Sequence, residues 1–295
     1  MQHKYCFEAV HRTFQDICDD PEELYLFGDK PVVLGDDFAQ IPPVVRRGNR
    51  ADTASASVKQ SFLWSRLQLL SLTQNMRLGS SSTPIDLAFA NFISTMSYNY
   101  RLYGISALPA YIYRTRQLSE FVTRVYRDED IANSISTNFE HFSERAILTT
   151  RNDIVESVNK ILLEKMPGGK IVLLSTDTAD INDANGLHTI SAVYLKSLNP
   201  SGLPPSQLEL KVDAPVMLLR NIGPARSLCN GTRLIVVHIG QYLLRVRLAH
   251  KPCAPIETIP SFTLSFQEGD IPFMLTRKQS PVKLCFSMTT EKFQG

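Results

Sequence analysis

The sequence contains no run of 18 consecutive apolar residues and therefore no candidate membrane span. Its opening, MQHKYCFEAV, has neither the apolar stretch nor the cleavage pattern of a secretory signal. Five cysteines (Cys6, Cys18, Cys229, Cys253 and Cys285) form no C-x-x-C pair, and their number is odd. That argues against a disulfide framework and fits reduced thiols in a cytosolic or nuclear setting. Asn230-Gly231-Thr232 matches the glycosylation pattern, which has no meaning without secretion. G-x-S-x-G, H-E-x-x-H and G-x-G-x-x-G are all absent, which removes several hydrolase, metalloprotease and dinucleotide classes. Gly168-Gly169-Lys170 imitates the end of a phosphate loop, but Glu164 stands where the first glycine is needed. The tripeptide also precedes an apolar run read as a strand, whereas a phosphate loop opens into a helix to offer its amides. It is read as a turn.

What is present is a chain of 295 residues with 43% apolar content, enough for one large or two to three smaller globular units. The net charge is only +2, but its distribution is uneven. From Lys196 onward there are 12 basic and 6 acidic residues, against 19 and 23 upstream. A basic last third fits either a phosphate-facing surface or a solvated basic face.

Apolar spacing predicts a helix over 4–18 with Cys6, Phe7, Val10, Phe14 and Ile17 on its buried stripe. Lys30–Leu34 and Leu67–Thr73 read as strands, and the Ser/Ala-rich stretch 46–57 as a loop. Thr83 caps a helix with Pro84 in its first turn and Asp86 three beyond the cap; its apolar face is Ile85, Phe89, Phe92 and Met96. Leu118–Tyr126 reads as helical. "RAILTT" (145–150), the helix 151–166 stopped by Gly168-Gly169, and "KIVLLST" (170–176) suggest a parallel strand–helix–strand unit. Residues 199–270, rich in proline, glycine and short alternating runs, predict a small all-β barrel.

Two strand ends carry candidate chemistry. "GDDFAQIPPVV" (35–45) places a carboxylate pair and an amide just past the carboxyl end of an apolar run, where α/β folds bind ligands. A plain turn would use the prolines and glycine but not Gln40, whose amide can orient a water or contact a phosphate without adding charge. "LTQNMRL" (72–78) supplies Arg77, whose planar fork suits a γ-phosphate.

In that order the motifs resemble the PIF (petite integration frequency) family of ATP-dependent 5′-to-3′ DNA helicases, including the helicase parts of Helitron transposons. The resemblance runs over nearly the whole chain. "FEAVHRTFQDI" is similar to the helix after the family's Walker B strand, and "GDDFAQIPPVV" to motif III. "SFLWSRLQLLSLTQNMRL" resembles motif IV and its approach, and "ERAILTTRNDIVESVN" the start of the second motor domain. "GLPPSQLELKVDAPVMLLRNIGPARSLCNGTRLIV" resembles the 2B domain, and "SPVKLCFSMTTEKFQG" motif V.

The resemblance implies an α/β fold: two RecA-like (P-loop NTPase) motor domains, both partial, with an inserted Src-homology-3-like β-barrel. Residues 1–135 would be part of the first motor domain, 136–198 the start of the second, 199–270 the 2B barrel and 271–295 the return to the second. It implies ATP hydrolysis coupled to 5′-to-3′ unwinding, with roles in repair, recombination and telomere maintenance, ATP and Mg²⁺ as cofactors, and single-stranded, forked or structured DNA as partner. A monomer in the nucleus is expected. Asp37 and Gln40 would face ATP, with Gln40 sensing the γ-phosphate, and Arg77 would stabilise its charge. Lys292 and Gly295 would touch nucleotide; Thr289, Lys292 and Gln294 would touch DNA. Arg220, Asn230, Thr232 and Arg233 would grip the strand, although "CNGT" also reads as a tight hairpin turn. No residue is assigned to a metal.

By the same resemblance the phosphate loop, the Walker B acids and motif VI lie outside these residues, so an incomplete copy is expected, and the alternative function is a catalytically inactive DNA-binding remnant. Asp36, Ala39, Asp213, Glu291 and Phe293 depart from the family pattern; Asp213 stands where the family has glycine.

Overall fold

In the computed structural model the residues described are 1–18, 25–35, 37–38, 42–45, 47–72, 76, 78, 83–98, 108–132, 142–143, 145–180, 190–200, 202–251, 253–267 and 273–290. They fall into two units, Met1–Ile112 and Tyr113–Gly295.

The first unit begins with helix α1 (Lys4–Cys18), as the spacing predicts. Its buried stripe is not the expected one: Glu8, His11 and Gln15 are buried, while Val10 and Ile17 are exposed. Polar partners explain the choice. His11 Nδ1 accepts from the Phe27 amide at 3.0 Å, and Glu8 Oε1 accepts from the Ser61 hydroxyl at 2.7 Å. The turn at Leu26–Asp29 that carries Phe27 packs under α1 with left-handed φ values at Phe27, Gly28 and Asp29.

The stretch expected to be a loop contains helix α2 (Arg50–Ser55), capped by Asn49 in a capping box with Asp52. Helix α3 (Pro84–Tyr98) starts at the predicted cap, where Asp86 Oδ2 accepts from the Thr83 amide at 2.8 Å and from its hydroxyl at 2.7 Å. The apolar face expected for α3 is not buried: Ile85 is 71% exposed, and Phe89 and Met96 are exposed as well.

Nor do 30–34 or the described part of 67–73 form strands; Val33, Leu70 and Leu72 lie open to solvent. A strand needs a neighbour for its amides and carbonyls. Among the described residues of this unit, no such neighbour lies beside either run.

The second unit opens with helices α4 (Leu118–Val125) and α5 (Asp128–Ala132). Strand β1 (Ile147–Thr149) leads into helix α6 (Asn152–Lys165), and Gly168 follows its end with φ 88°. Strands β2 (Ile171–Leu174) and β3 (Thr176–Asp180), helix α7 (Ala192–Ser197) and strands β4 (Gln207–Leu210), β5 (Pro215–Leu218), β6 (Arg233–Ile239), β7 (Leu243–Leu248), β8 (Glu257–Pro260), β9 (Phe262–Phe266), β10 (Met274–Gln279), β11 (Val282–Leu284) and β12 (Ser287–Thr289) complete it.

The expected parallel pairing of β1 with 171–174 does not form. β1 pairs in parallel with β12, Leu148 opposite Met288, whereas β2 pairs antiparallel with β4. The reason is burial: on β2 only Leu173 is buried, and it belongs to the barrel core.

That barrel centres on the sheet β11-β5-β6-β7-β8. Leu208, Leu210, Val216, Leu218, Leu234, Val236, Leu244, Val246 and Ile259 fill its interior. At roughly 1.5–3 kcal/mol for each fully buried aliphatic side chain, this is the main stabilising term of the domain. Strands β3, β10 and β9 form a separate three-stranded sheet in that order. A second core joins α4, α5 and α6 through Tyr126, Phe142, Leu162 and Phe286, and takes in Ala214, Ile235 and Ala249 from the barrel region. Barrel and helices therefore share apolar contacts and are not beads on a linker.

Candidate functional site

Of the GDDFAQ stretch, Gly35, Asp37 and Phe38 are described, and all three are exposed. Phe38 is held on two sides. Its ring meets Trp64 edge to face at 5.6 Å between centroids, and Lys59 Nζ stands 4.0 Å from its centroid. The prolines after the motif divide their roles, Pro43 buried and Pro42 exposed. Aromatic and cation–π contacts of this kind each contribute about 0.5–1.5 kcal/mol. They fix the backbone next to Asp37. Gln40 and Arg77 lie outside the described residues, as do Lys292, Gln294 and Gly295.

Motif V reaches the described residues at Thr289, half-buried at the end of β12 and paired with Thr149 of β1. The strand is anchored by Asn159 of α6, a residue that sequence reasoning did not single out. Its Nδ2 donates to the Leu284 and Ser287 carbonyls at 3.2 and 3.0 Å, and its Oδ1 accepts from the Ser287 amide at 2.8 Å. The available signal was a polar side chain on the face otherwise formed by Val155, Val158, Leu162 and Leu163. A buried amide there must be satisfied, and here the backbone of β12 satisfies it.

The barrel residues separate into two kinds. Arg220 and Asn230 are exposed. Thr232 is turned to the loop itself: its hydroxyl donates to the Ser227 carbonyl at 2.9 Å and accepts from the Cys229 amide at 3.2 Å. With Gly231 at φ 90°, the "CNGT" stretch is a tight turn that leads into β6. Arg233 is likewise committed. Its Nη1 donates to the Ser143 carbonyl at 2.8 Å, and its Nη2 to those of Phe142 and Arg145 at 2.6 and 2.8 Å. It ties β6 to the segment that enters β1.

Cys285, beside this arginine, is fully buried, and burial pushes its thiol above the ordinary range. Tyr126 is also pushed up by burial, its hydroxyl within reach of the Arg145 and Phe286 carbonyls at 2.9 and 3.0 Å. Both groups stay neutral at physiological pH and serve packing.

An open depression along α4 is lined by Tyr113, Glu120, Thr123, Arg124 and Arg127. Its charges are largely spent on each other and on neighbours: Glu120 accepts from Tyr113 and Thr115, and Arg127 holds Asp130 at 2.7 Å. Among the described residues no three His, Cys, Asp or Glu converge as a metal site. Nor is any described helix long and apolar enough to cross a membrane.

Residues 1–97 match the family model described as PIF1-like helicase, and residues 193–239 match DNA helicase Pif1, 2B domain. The chain is 27% identical over 278 residues to the ATP-dependent DNA helicase PIF1 of Danio rerio, covering 91% of this chain and 36% of that protein. It thus spans about a third of that relative's length. Among solved structures, the Pif1 helicase from Candida albicans superposes with a TM-score of 0.62 at 18% identity, covering all of this chain and 62% of the other. Pif1 helicase from Bacteroides in complex with ADP-AlF3 and ssDNA gives 0.58 at 17% identity, covering 99% and 59%. At these identities the structures speak for the fold, a mixed α/β architecture consistent with RecA-like motor domains. The 2B match falls on the barrel and the helicase match on the unit bearing Asp37, in the family's own order, so the chain is similar to PIF1-like helicases in both stretches.

Proposed function

We propose that the protein works as an ATP-dependent DNA helicase, moving 5′ to 3′ on single-stranded DNA and opening forked or structured duplexes. One observation carries the reading: β12, which leads into motif V, lies in parallel beside β1, while the barrel is built from the chain between them. A strand pair interrupted by a small barrel suits a machine that links nucleotide state to a grip on DNA. The relative named ATP-dependent DNA helicase and the neighbour described with ADP-AlF3 and ssDNA support it.

In this reading Asp37 and Gln40 face ATP, Gln40 senses the γ-phosphate and Arg77 neutralises its charge, in a reaction that depends on positioning and electrostatics rather than on covalent chemistry. Lys292 and Gly295 touch the nucleotide. Thr289, Lys292, Gln294, Arg220 and Asn230 face the strand, while Thr232 and Arg233 hold the barrel in shape for it. Phosphate contacts of this kind bind without sequence preference and weaken with salt. Residues 1–135 serve as first motor domain, and 136–198 with 271–295 as second, around a barrel at 199–270. Mg²⁺ enters with the triphosphate. On the same reading the protein acts as a nuclear monomer in repair, recombination and telomere maintenance, or as a Helitron-type motor.

The test is ATP hydrolysis by the protein with and without single-stranded DNA, beside Arg77→Ala. DNA-stimulated turnover that disappears in the variant is expected. DNA binding without turnover would return the non-catalytic DNA-binding alternative, and absence of both would refute the reading.

A further inference from the structure

Residues 214–256 contain six Lys or Arg and no Asp or Glu. Two of the six are already engaged: Arg226 pairs with Glu257 at 2.8 Å, and Arg233 holds the carbonyls named above. The barrel places two others, Arg245 and Arg247, side by side on the outer face of β7. There Leu244, Val246 and Leu248 point inward to the core, which turns Leu243, Arg245 and Arg247 outward.

A register shift between Val236 and His238 does the same on β6. It leaves Val236 and Ile239 against the core and turns His238 out, directly opposite Arg245. On the other side Arg245 faces Thr258 of β8. His238, Arg245 and Thr258 are all exposed. Arg247, half-buried opposite Ile235, stands two residues along, about 7 Å from Arg245 at the rise of a strand; its Nε is itself buried and has no hydrogen-bond partner. At the other end Tyr242 is 65% exposed, on a turn fixed by the Ser261 amide donating to the Tyr242 carbonyl at 2.9 Å.

We infer that this outer face of β6, β7 and β8 is a second track for single-stranded nucleic acid, separate from the Arg220 and Asn230 loop. Arg245 and Arg247 take successive phosphates, His238 and Thr258 add hydrogen bonds, and a base stacks on Tyr242. The occupant follows from charge and shape: outward cations with no carboxylate among them need an anion, a spacing of one residue pair suits a repeating one, and an exposed ring beside it suits a base. The inference rests on the DNA partner of the proposed function and adds the surface that carries it.

The experiment is fluorescence anisotropy of a labelled deoxythymidine oligomer with the full chain across a salt series. Arg245→Ala should weaken binding several-fold and reduce the slope of log affinity against log salt by about 0.7, the share of one phosphate on a single strand. Tyr242→Ala should weaken binding about tenfold and leave that slope unchanged. Arg245→Lys should restore the slope. Thermal melting confirms that these exposed substitutions leave the fold intact. Wild-type affinity and slope in both alanine variants, with weakening only in Arg220→Ala, would overturn this track while leaving the helicase reading standing. Failure of the unaltered chain to bind the oligomer would overturn both.

Discussion

Asp177 and Arg277 face each other across β3 and β10 in a two-pronged ion pair, Nε to Oδ1 at 3.0 Å and Nη2 to Oδ2 at 2.8 Å, with both side chains buried. The remaining guanidinium capacity goes to the carbonyls of Pro204, Leu195 and Leu198. One arginine thus joins the three-stranded sheet, helix α7 and the chain approaching β4. Removing one partner strands a buried charge, whereas an apolar pair of similar volume would not. Asp177→Ala should cost about 3–5 kcal/mol in urea unfolding, and replacing both residues by Leu or Met should recover much of it. A loss below 1 kcal/mol in the single variant would show that the pair is not desolvated.

Asp213 sits at φ 71°, in the left-handed region, with its amide donating to the Val236 carbonyl at 2.7 Å. The resemblance places glycine here, and the backbone shows why: an L-residue in this region costs about 1–2 kcal/mol, less for Asp than for most. Glycine gives back part of that in unfolded-chain entropy. Asp213→Gly should therefore raise stability by about 0.5–1 kcal/mol in thermal or urea unfolding. A destabilised variant would mean that the aspartate side chain makes up for the strain.

The cysteines divide by exposure, Cys6 and Cys253 open and Cys285 buried. Burial both blocks Cys285 and pushes its thiol up, so it offers little thiolate at neutral pH. In the native protein an aromatic disulfide reagent should titrate Cys6 and Cys253 within seconds to minutes, with Cys285 reacting only after denaturant is added. Rapid native labelling of Cys285, read by peptide mapping, would contradict its place in the core.

Much of the local structure was legible because local rules govern it. The bounds of α1, the Thr83–Pro84–Asp86 start of α3, and α6 with Gly168 after it all follow from capping and periodicity. So does the run of short barrel strands. What was not legible depended on distant partners. The sequence around β2 cannot show that its neighbour is β4 rather than β1, because strand pairing is decided by which face finds a core. Val10 and Ile17 were read as buried from spacing alone, yet Ser61 and the Phe27 amide draw Glu8 and His11 inward. At the site, Phe38 was quoted only as part of its motif. Its grip by Lys59 and Trp64 joins residues that spacing does not connect.

Asp86 shows how the start of α3 responds to pH. Hydrogen bonds from the Thr83 hydroxyl and amide hold its carboxyl below the usual carboxylate range. A depressed folded value means that the stabilisation is present above the unfolded value and lost as pH falls through the folded one. The first turn of α3 should therefore fray only in acid, below the range where free carboxylates titrate. The carboxyl carbon shift of Asp86, followed by NMR, should show a midpoint lower than that of an unstructured peptide. An ordinary midpoint would mean that the cap is not formed in solution.

Trp64 is the chain's one tryptophan, and it touches Phe38, one residue beyond Asp37. Indole emission should therefore report on the motif from which Gln40 is proposed to sense nucleotide. If nucleotide moves that backbone, the edge-to-face contact and the Lys59 ammonium beside it must shift, and both alter the field at the indole. Adding ADP or ATP should change Trp64 emission in a saturable way. Phe38→Ala should abolish most of the change, while Lys59→Met should shift the starting spectrum but keep the response. If Trp64 emission stays constant while nucleotide binding is shown by an independent method, the clasp on Phe38 is rigid scaffold and the motif transmits nothing through it.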